Sequence, residues 1–256
     1  MMPALRFASL GSGSSGNATV VSCENTHLLV DCGFSLRETR RRLARLGLSL
    51  DQISAVVVTH EHGDHIRGIP LLARACAVPV YMTAGTREAR DLKQMPEVRL
   101  IQAGTAFLVD SLEVLPVSVP HDAREPVQYI VRNGDRSLGI LTDLGSFDDV
   151  LVETYSGCDG LLLEANHDPM LLSQGPYPPQ LKRRVGGPWG HLSNQQAAAF
   201  LMQMDTHRLH HLVVGHISRK NNSLSLAQNA LACVSHRARQ IHYACQDVGF
   251  GWLELS

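Results

Sequence analysis

The sequence predicts a single-domain α/β protein whose sheet scaffold carries a site along one rim. Three observations lead there. Short strand-like runs recur between helical stretches over the whole length, no low-complexity linker or repeat divides the chain, and histidines and acidic residues stand repeatedly where an apolar run stops. A chain of 256 residues, 44% of them hydrophobic, is long enough to bury a sizeable core. Polar groups at strand ends are the pattern of a rigid scaffold that holds its chemistry on loops.

The opening runs Leu5–Leu10, Ala18–Cys23 and Leu28–Asp31 are apolar and separated by turn residues, which predicts an antiparallel meander. Ser35 with Glu38 three residues on is a capping-box signal for a helix over Arg37–Leu46, and Gly47 supplies its stop. The strand Ala55–Thr59 runs directly into His60. Helices are expected near Ile66–Ala75 and over Thr86–Lys93, on either side of a strand Val80–Met82, and further strands end at Val119 before Pro120 and His121. Asn133-Gly134-Asp135 between Gln128–Arg132 and Ser137–Thr142 is a hairpin signal whose second strand leads into Asp143. Gly160–Leu163 leads to Glu164, Ser193 caps a helix reaching Met204, and His211–Gly215 leads to His216.

A formal net charge of −1 removes any global pull toward nucleic acid or anionic membrane and leaves only local basic clusters to act within a screening length. Met1–Leu10 holds no apolar segment long enough for a signal peptide or a bilayer span, so a cytoplasmic protein without membrane association is expected. Cys23, Cys32, Cys76, Cys158, Cys233 and Cys245 form no Cys-x-x-Cys pair and read as reduced, mostly buried thiols.

Chemistry concentrates in Thr59-His60-Glu61-His62-Gly63-Asp64-His65. On an extended backbone His60, His62 and Asp64 point to one side, and Gly63 permits the turn that brings His65 around to join them. Imidazole nitrogen and carboxylate oxygen suit zinc and related divalent ions, and such groups build sites that leave room for water.

This motif, preceded by Asp31 in Val30-Asp31-Cys32-Gly33, resembles the metallo-β-lactamase superfamily. The likeness spans nearly the whole chain: His121, Asp143 in Thr142-Asp143-Leu144-Gly145, and His216 in Gly215-His216-Ile217-Ser218 occupy the order and strand-end contexts of the family's later motifs. The resemblance implies a four-layer αββα sandwich with two divalent metal ions, zinc first and manganese as the other candidate. It implies His60, His62 and His121 as ligands of one ion, Asp64, His65 and His216 as ligands of the other, and Asp143 bridging them. Asp64 thereby also counts as catalytic. Asp31 is expected to orient a ligating histidine or the motif loop rather than to bind metal.

Within the superfamily the chain resembles the YycJ/WalJ group through Leu10-Gly11-Ser12-Gly13-Ser14-Ser15-Gly16-Asn17, Glu164-Ala165-Asn166-His167-Asp168, Gly190-His191-Leu192-Ser193-Asn194 and His216-Ile217-Ser218-Arg219-Lys220-Asn221-Asn222. That likeness implies exonuclease action on DNA from the 5′ end, with DNA as substrate and no protein partner inferred. A partial likeness to tRNA 3′-processing endonucleases of the RNase Z type implies His191 as general acid and Glu164 as its orienting partner. The expected chemistry is in-line attack on phosphorus by a hydroxide held between the metals, with His191 protonating the departing oxygen.

Gly11, Gly13 and Gly16 match Gly-x-Gly-x-x-Gly, but a strand rather than a helix follows, so no nucleotide cofactor is expected. Arg37, Arg40, Arg41, Arg42 and Arg45 fit a solvated helix face, whereas Lys182, Arg183, Arg184, Arg219 and Lys220 flank His191 and His216 in the chain and are the candidates for substrate phosphates. Tyr177-Pro178-Pro179 and Trp189 fit either a mobile wall of the cleft or a packed loop. Two other functions stay open: a hydrolase of small, for example cyclic, phosphodiesters, and a non-catalytic metal-dependent binding protein.

Overall fold

The computed structural model describes residues 4–89, 95 and 97–255. The chain runs through β1 (Leu5–Gly11), β2 (Ala18–Cys23), β3 (Thr26–Val30), α1 (Leu36–Arg45), β4 (Ala55–Val57), α2 (Gly63–Ile66), α3 (Ile69–Cys76), β5 (Val80–Met82), α4 (Ala84–Ala89), β6 (Val98–Leu100), β7 (Phe107–Val109), β8 (Leu112–Ser118) and β9 (Val127–Asn133). It continues through β10 (Arg136–Leu141), α5 (Asp149–Tyr155), β11 (Gly160–Glu164), α6 (Pro169–Gln174), α7 (Pro179–Val185), α8 (Asn194–Gln203), β12 (His211–Gly215), α9 (Leu224–Leu231), β13 (Gln240–Tyr243) and β14 (Phe250–Leu255). These elements divide into two compact units, one of Met1–Ser118, Ala123–Ser137 and Cys245–Ser256, the other of Val119–Asp122 and Leu138–Ala244.

In the first unit a mixed sheet has the order β14-β1-β2-β3-β4-β5-β6. The expected meander is present, with β1 and β2 and then β2 and β3 antiparallel, and the sheet continues in parallel through β4, β5 and β6. Leu10, Val20, Leu29, Val56 and Val80 meet Leu43 of α1 and Ile69 and Leu72 of α3 in one buried cluster. Each such fully buried side chain contributes about 1.5–3 kcal/mol of transfer free energy, which fixes α1 and α3 on the sheet. The antiparallel run β7-β8-β9 belongs to the same unit. It is tied in by Tyr129, whose hydroxyl donates to the Val58 carbonyl at 2.6 Å, and by Phe107, stacked on Tyr81 at 4.6 Å.

Local departures from expectation have physical causes. The Ser35 hydroxyl accepts from the Glu38 backbone N–H, but the Glu38 carboxylate turns to Arg41 and Arg42, so the reciprocal half of the capping box is replaced by ion pairs. Arg42 is buried rather than on a solvated face, because its guanidinium donates to the Leu10 carbonyl and stacks 4.1 Å over the Phe34 ring. The extended run expected to reach Thr59 ends at Val57, and Gly63–Ile66 closes one helical turn. Asp64 and His65 thus sit on a helical turn and not on extended backbone. The helix expected over Thr86–Lys93 begins at Ala84, and its part beyond residue 89 lies outside the described residues.

In the second unit β10, β11, β12 and β13 are parallel neighbours. Leu161–Leu163 and Leu212–Val214 are buried without alternation, as parallel strands covered on both faces require. Phe200 of α8 meets Tyr155 of α5 and Phe147 edge-on. The α8 cap is a complete capping box, Ser193 with Gln196. Among the described residues no helix is long and apolar enough to cross a membrane. The cysteines form no disulfide among the described residues, and Cys233 and Cys245 are exposed, unlike the buried Cys23, Cys32 and Cys158.

Candidate metal centre

In the first unit the His60–His65 motif is shaped by Asp31, which follows β3 with φ 60, in the left-handed region that non-glycine residues seldom adopt. Its Oδ1 accepts the Thr59 N–H at 2.9 Å, and its Oδ2 accepts the Thr59 hydroxyl and the His65 Nδ1–H, both at 2.8 Å. A carboxylate acceptor on Nδ1 leaves Nε2 of His65 with its lone pair, and the Asn17 amide donates to that nitrogen at 3.0 Å. His60 Nδ1 lies 2.9 Å from the Thr59 hydroxyl, and its Nε2 lies 3.0 Å from His62 Nδ1. Four side chains of the motif therefore bring imidazole nitrogens and the Asp64 carboxylate together, with His60 and His65 fully buried.

Backbone contacts hold this motif from below. Asn17 N–H donates to the Asp64 carbonyl and Cys32 N–H to the His65 carbonyl, at 2.8 and 2.7 Å. Gly33 makes the approach possible, since a Cβ there would fall 1.7 Å from the Asp64 carbonyl oxygen. The glycine-rich loop before β2 is pinned by Asn17, which accepts the Gly13 N–H, and by Gln246, which accepts from Ser15 and donates to Gly16. It serves as a brace for the motif, and the strand that follows it rules out a dinucleotide fingerprint.

In the second unit His121, Asp143 and His216 lie at strand ends and are buried. His121 Nδ1 donates to the Gly190 carbonyl at 2.9 Å and His216 Nδ1 to the Thr142 carbonyl at 3.0 Å, which places the Nδ1 proton toward the backbone in both rings. His216, with φ 50, shares the left-handed backbone of Asp31, and its Nδ1 is 3.1 Å from Asp143 Oδ1. His191 Nδ1 is 3.0 Å from Glu164 Oε2 and 3.7 Å from Asp143 Oδ1. Asp143, His191 and His216 offer ligand atoms within 4.8 Å of one another, a set able to hold a metal ion.

Glu164 is fully buried, and its Oε1 accepts the N–H groups of Leu144 and Leu192. Burial first, and the Asp143 charge second, push its carboxyl well above the usual range, while His216 and the two N–H donors pull the other way. Gly145 again allows a close approach, as a Cβ there would lie 2.3 Å from the Gly190 nitrogen.

Asparagines, whose role the sequence did not reveal, lock these loops together. Asn166 Nδ2 donates to the His216 carbonyl, Asn222 Nδ2 to Ala165, and Asn194 and Asn222 exchange amide hydrogen bonds. Their signal was an Asn in each of the motifs that contain Glu164, His191 and His216. The candidate phosphate residues are more dispersed. Lys182, Arg183 and Arg184 lie on α7, which buries none of its residues, and Arg184 is paired with Asp122. Arg219 and Lys220 follow β12, with the Lys220 ammonium 5.7 Å over the Tyr177 ring. Trp189 is exposed.

These donors fit divalent metal. His65, His121 and His216 each give Nδ1–H to a carboxylate or carbonyl, the arrangement that fixes a ligating imidazole, and nitrogen with carboxylate oxygen is a donor set that zinc and manganese accept. Residues 26–217 match the family model described as a beta-lactamase superfamily domain. The chain belongs to the beta-lactamase superfamily. As a member it is a metal-dependent hydrolase, and its two sheets with flanking helices are the fold of this superfamily. Among its relatives, the exodeoxyribonuclease YycJ of Bacillus anthracis is 34% identical over 234 residues, covering 90% of this chain and 89% of that one. A ribonuclease Z of Methanopyrus kandleri is 32% identical over 111 residues, 40% of this chain and 39% of its own. The metallo-beta-lactamase fold protein YhfI of Bacillus subtilis superimposes with a TM-score of 0.76 at 17% identity, over 98% of this chain and 99% of its own.

Proposed function

We propose that this superfamily member is a nuclease that removes nucleotides from the 5′ end of DNA, with His60, His62 and His121 holding one divalent ion, Asp64, His65 and His216 a second, and Asp143 shared between them. The observation that carries the reading is the His191–Glu164 pair, a partly exposed imidazole held at 3.0 Å by a fully buried carboxylate beside Asp143. The 34% identity to an exodeoxyribonuclease over nearly the whole length supports DNA as the substrate.

Divalent ions bound by these ligands supply an acidified water and positive charge for the phosphoryl oxygens. The protein's own residues do the rest. Glu164 Oε2 is hydrogen-bonded to His191 Nδ1 and so directs Nε2 outward, where it gives its proton to the 3′ oxygen as the phosphorus–oxygen bond breaks. The two backbone donors on Glu164 Oε1 keep that carboxylate from rotating. Asp31 and Asn17 keep His65 in the tautomer a ligand needs.

Product analysis on end-labelled single- and double-stranded DNA, alongside RNA and bis(p-nitrophenyl) phosphate, tests the proposal. Mononucleotides released from 5′-phosphorylated DNA are the expected result. Metal-loaded protein that leaves such DNA intact with zinc, manganese or magnesium refutes it.

A further inference from the structure

Beside His191, the second unit contains a cavity of about 490 Å³ that the chemistry above does not use. Its wall is formed by Pro169 and Leu172 of α6 and Pro179 of α7, with Lys182 and Arg183 toward solvent and His167 at the buried side. Clefts of this size with mostly apolar walls and a few polar groups hold small organic molecules rather than single ions.

His167 points to a ligand independently of the cavity's shape. It is only 3% exposed, lines the cavity, and its Nδ1 is buried with no hydrogen-bond partner. A buried polar atom left without a partner is rare in folded proteins, and an ordered water or a ligand group is what satisfies it. Burial first, and His191 second, push the His167 imidazole down to about 4, so at neutral pH it presents one donor and one acceptor and carries no charge. That suits the edge of a heterocycle. Lys182 and Arg183 at the outer side suit a phosphate, Arg183 through its planar fork.

The position relative to His191 follows from the backbone. His167 bridges Ser193 in parallel, and its carbonyl accepts the Asn194 N–H at 2.9 Å. The cavity's wall therefore includes Ser193, two residues beyond His191 in the chain, and His167, whose imidazole feels the His191 charge.

The geometry points to a subsite for a deoxynucleoside 5′-monophosphate, namely the 5′-terminal nucleotide of the substrate, with its base against Pro169, Leu172 and His167 and its 5′-phosphate at Lys182 and Arg183. This rests on the nuclease reading for the identity of the ligand. In that reaction the terminal nucleotide is the leaving group, its 3′ oxygen receives the His191 proton, and a pocket next to His191 is where it belongs. Sequence-independent binding through ring stacking and basic side chains along the backbone is common in proteins that take single strands.

The test uses the metal-loaded full chain, titrated with deoxynucleoside 5′-monophosphates, the matching deoxynucleosides and inorganic phosphate. Ser173, exposed on α6 and lining the cavity, is replaced in Ser173→Trp to fill it, with a thermal melt confirming the fold. The monophosphates should bind at least tenfold more tightly than nucleoside or phosphate alone, and Ser173→Trp and Arg183→Ala should each weaken them about tenfold. Photocrosslinking with 5-iodo-2′-deoxyuridine 5′-monophosphate should label the 167–186 segment. Binding within twofold of the parent in Ser173→Trp, or labelling confined to other segments, overturns the assignment. Native protein that binds the monophosphate here yet spares DNA sustains the subsite and refutes the nuclease reading alone; DNA cleavage without such binding does the reverse.

Discussion

Replacing Asp31 by Asn isolates the hydrogen bonding that prepares His65. Asparagine tolerates the left-handed backbone at φ 60 better than almost any other side chain, so the fold of the β3 exit should survive. The carboxylate serves three donors: the Thr59 N–H, the Thr59 hydroxyl and His65 Nδ1–H. An amide has one oxygen. If that oxygen stays toward His65, the NH₂ faces the Thr59 N–H at 2.9 Å, donor against donor. If the amide flips, the NH₂ faces His65 Nδ1, and the ring must move its proton to Nε2 and lose the lone pair a metal needs. Either orientation strands a buried donor at a cost of about 1–3 kcal/mol. Loss of the partner that orients a ligating histidine weakens metal binding about 10–100-fold, which is the same energy. Competition against a chromogenic chelator reads this directly, and the melting temperature should fall by roughly 2–12 °C. Metal affinity within twofold of the parent would show that Asp31 does not set the state of His65.

Further outcomes follow from the same geometry. His191→Ala should keep its metal content and lose about 10²–10⁴ in hydrolysis rate, measured with a chromogenic diester; simultaneous loss of metal would make His191 a ligand instead of a proton donor. Gly33→Ala drives a Cβ to 1.7 Å from the Asp64 carbonyl, so it should cost about 3 kcal/mol, the upper end for overpacking, and reduce metal occupancy, both visible in melts and metal analysis. Hydrogen bonds from Arg41, then Arg42, hold the Glu38 carboxyl at about 2, below its ordinary value. Its stabilisation is therefore complete above about pH 4.5 and lost as pH falls toward 2, and the melting-temperature gap between parent and Glu38→Gln should close over that window. A gap that widens in acid would contradict the assignment.

Much of this arrangement was legible before any coordinates. Strands that are buried on both faces read as apolar runs, and β8 reads by its alternation, so β4, β8, β11 and β12 could be followed to the candidate residues His60, His121, Glu164 and His216. What escaped reading depends on partners distant in the chain. β14 pairs with β1 across some 240 residues, and nothing local in Phe250–Leu255 reports it. Arg42 reads as one more exposed arginine until Phe34 and the Leu10 carbonyl are placed around it. The left-handed turns at Asp31 and His216 are imposed by Thr59 and Thr142, to which their side chains are bonded, and neither residue type announces such a backbone. The helical turn at Asp64 was missed because alternation alone suggested an extended loop, whereas His62 caps a helix from Gly63.

The proposed function requires that the chain bind two divalent ions through His and Asp side chains. Metal analysis of the purified protein, titrated to saturation, tests it most directly. Two ions per chain are expected, falling to one in Asp64→Asn with loss of hydrolysis. Saturation at a single ion, or an Asp64→Asn protein that keeps both ions and full activity, would contradict it.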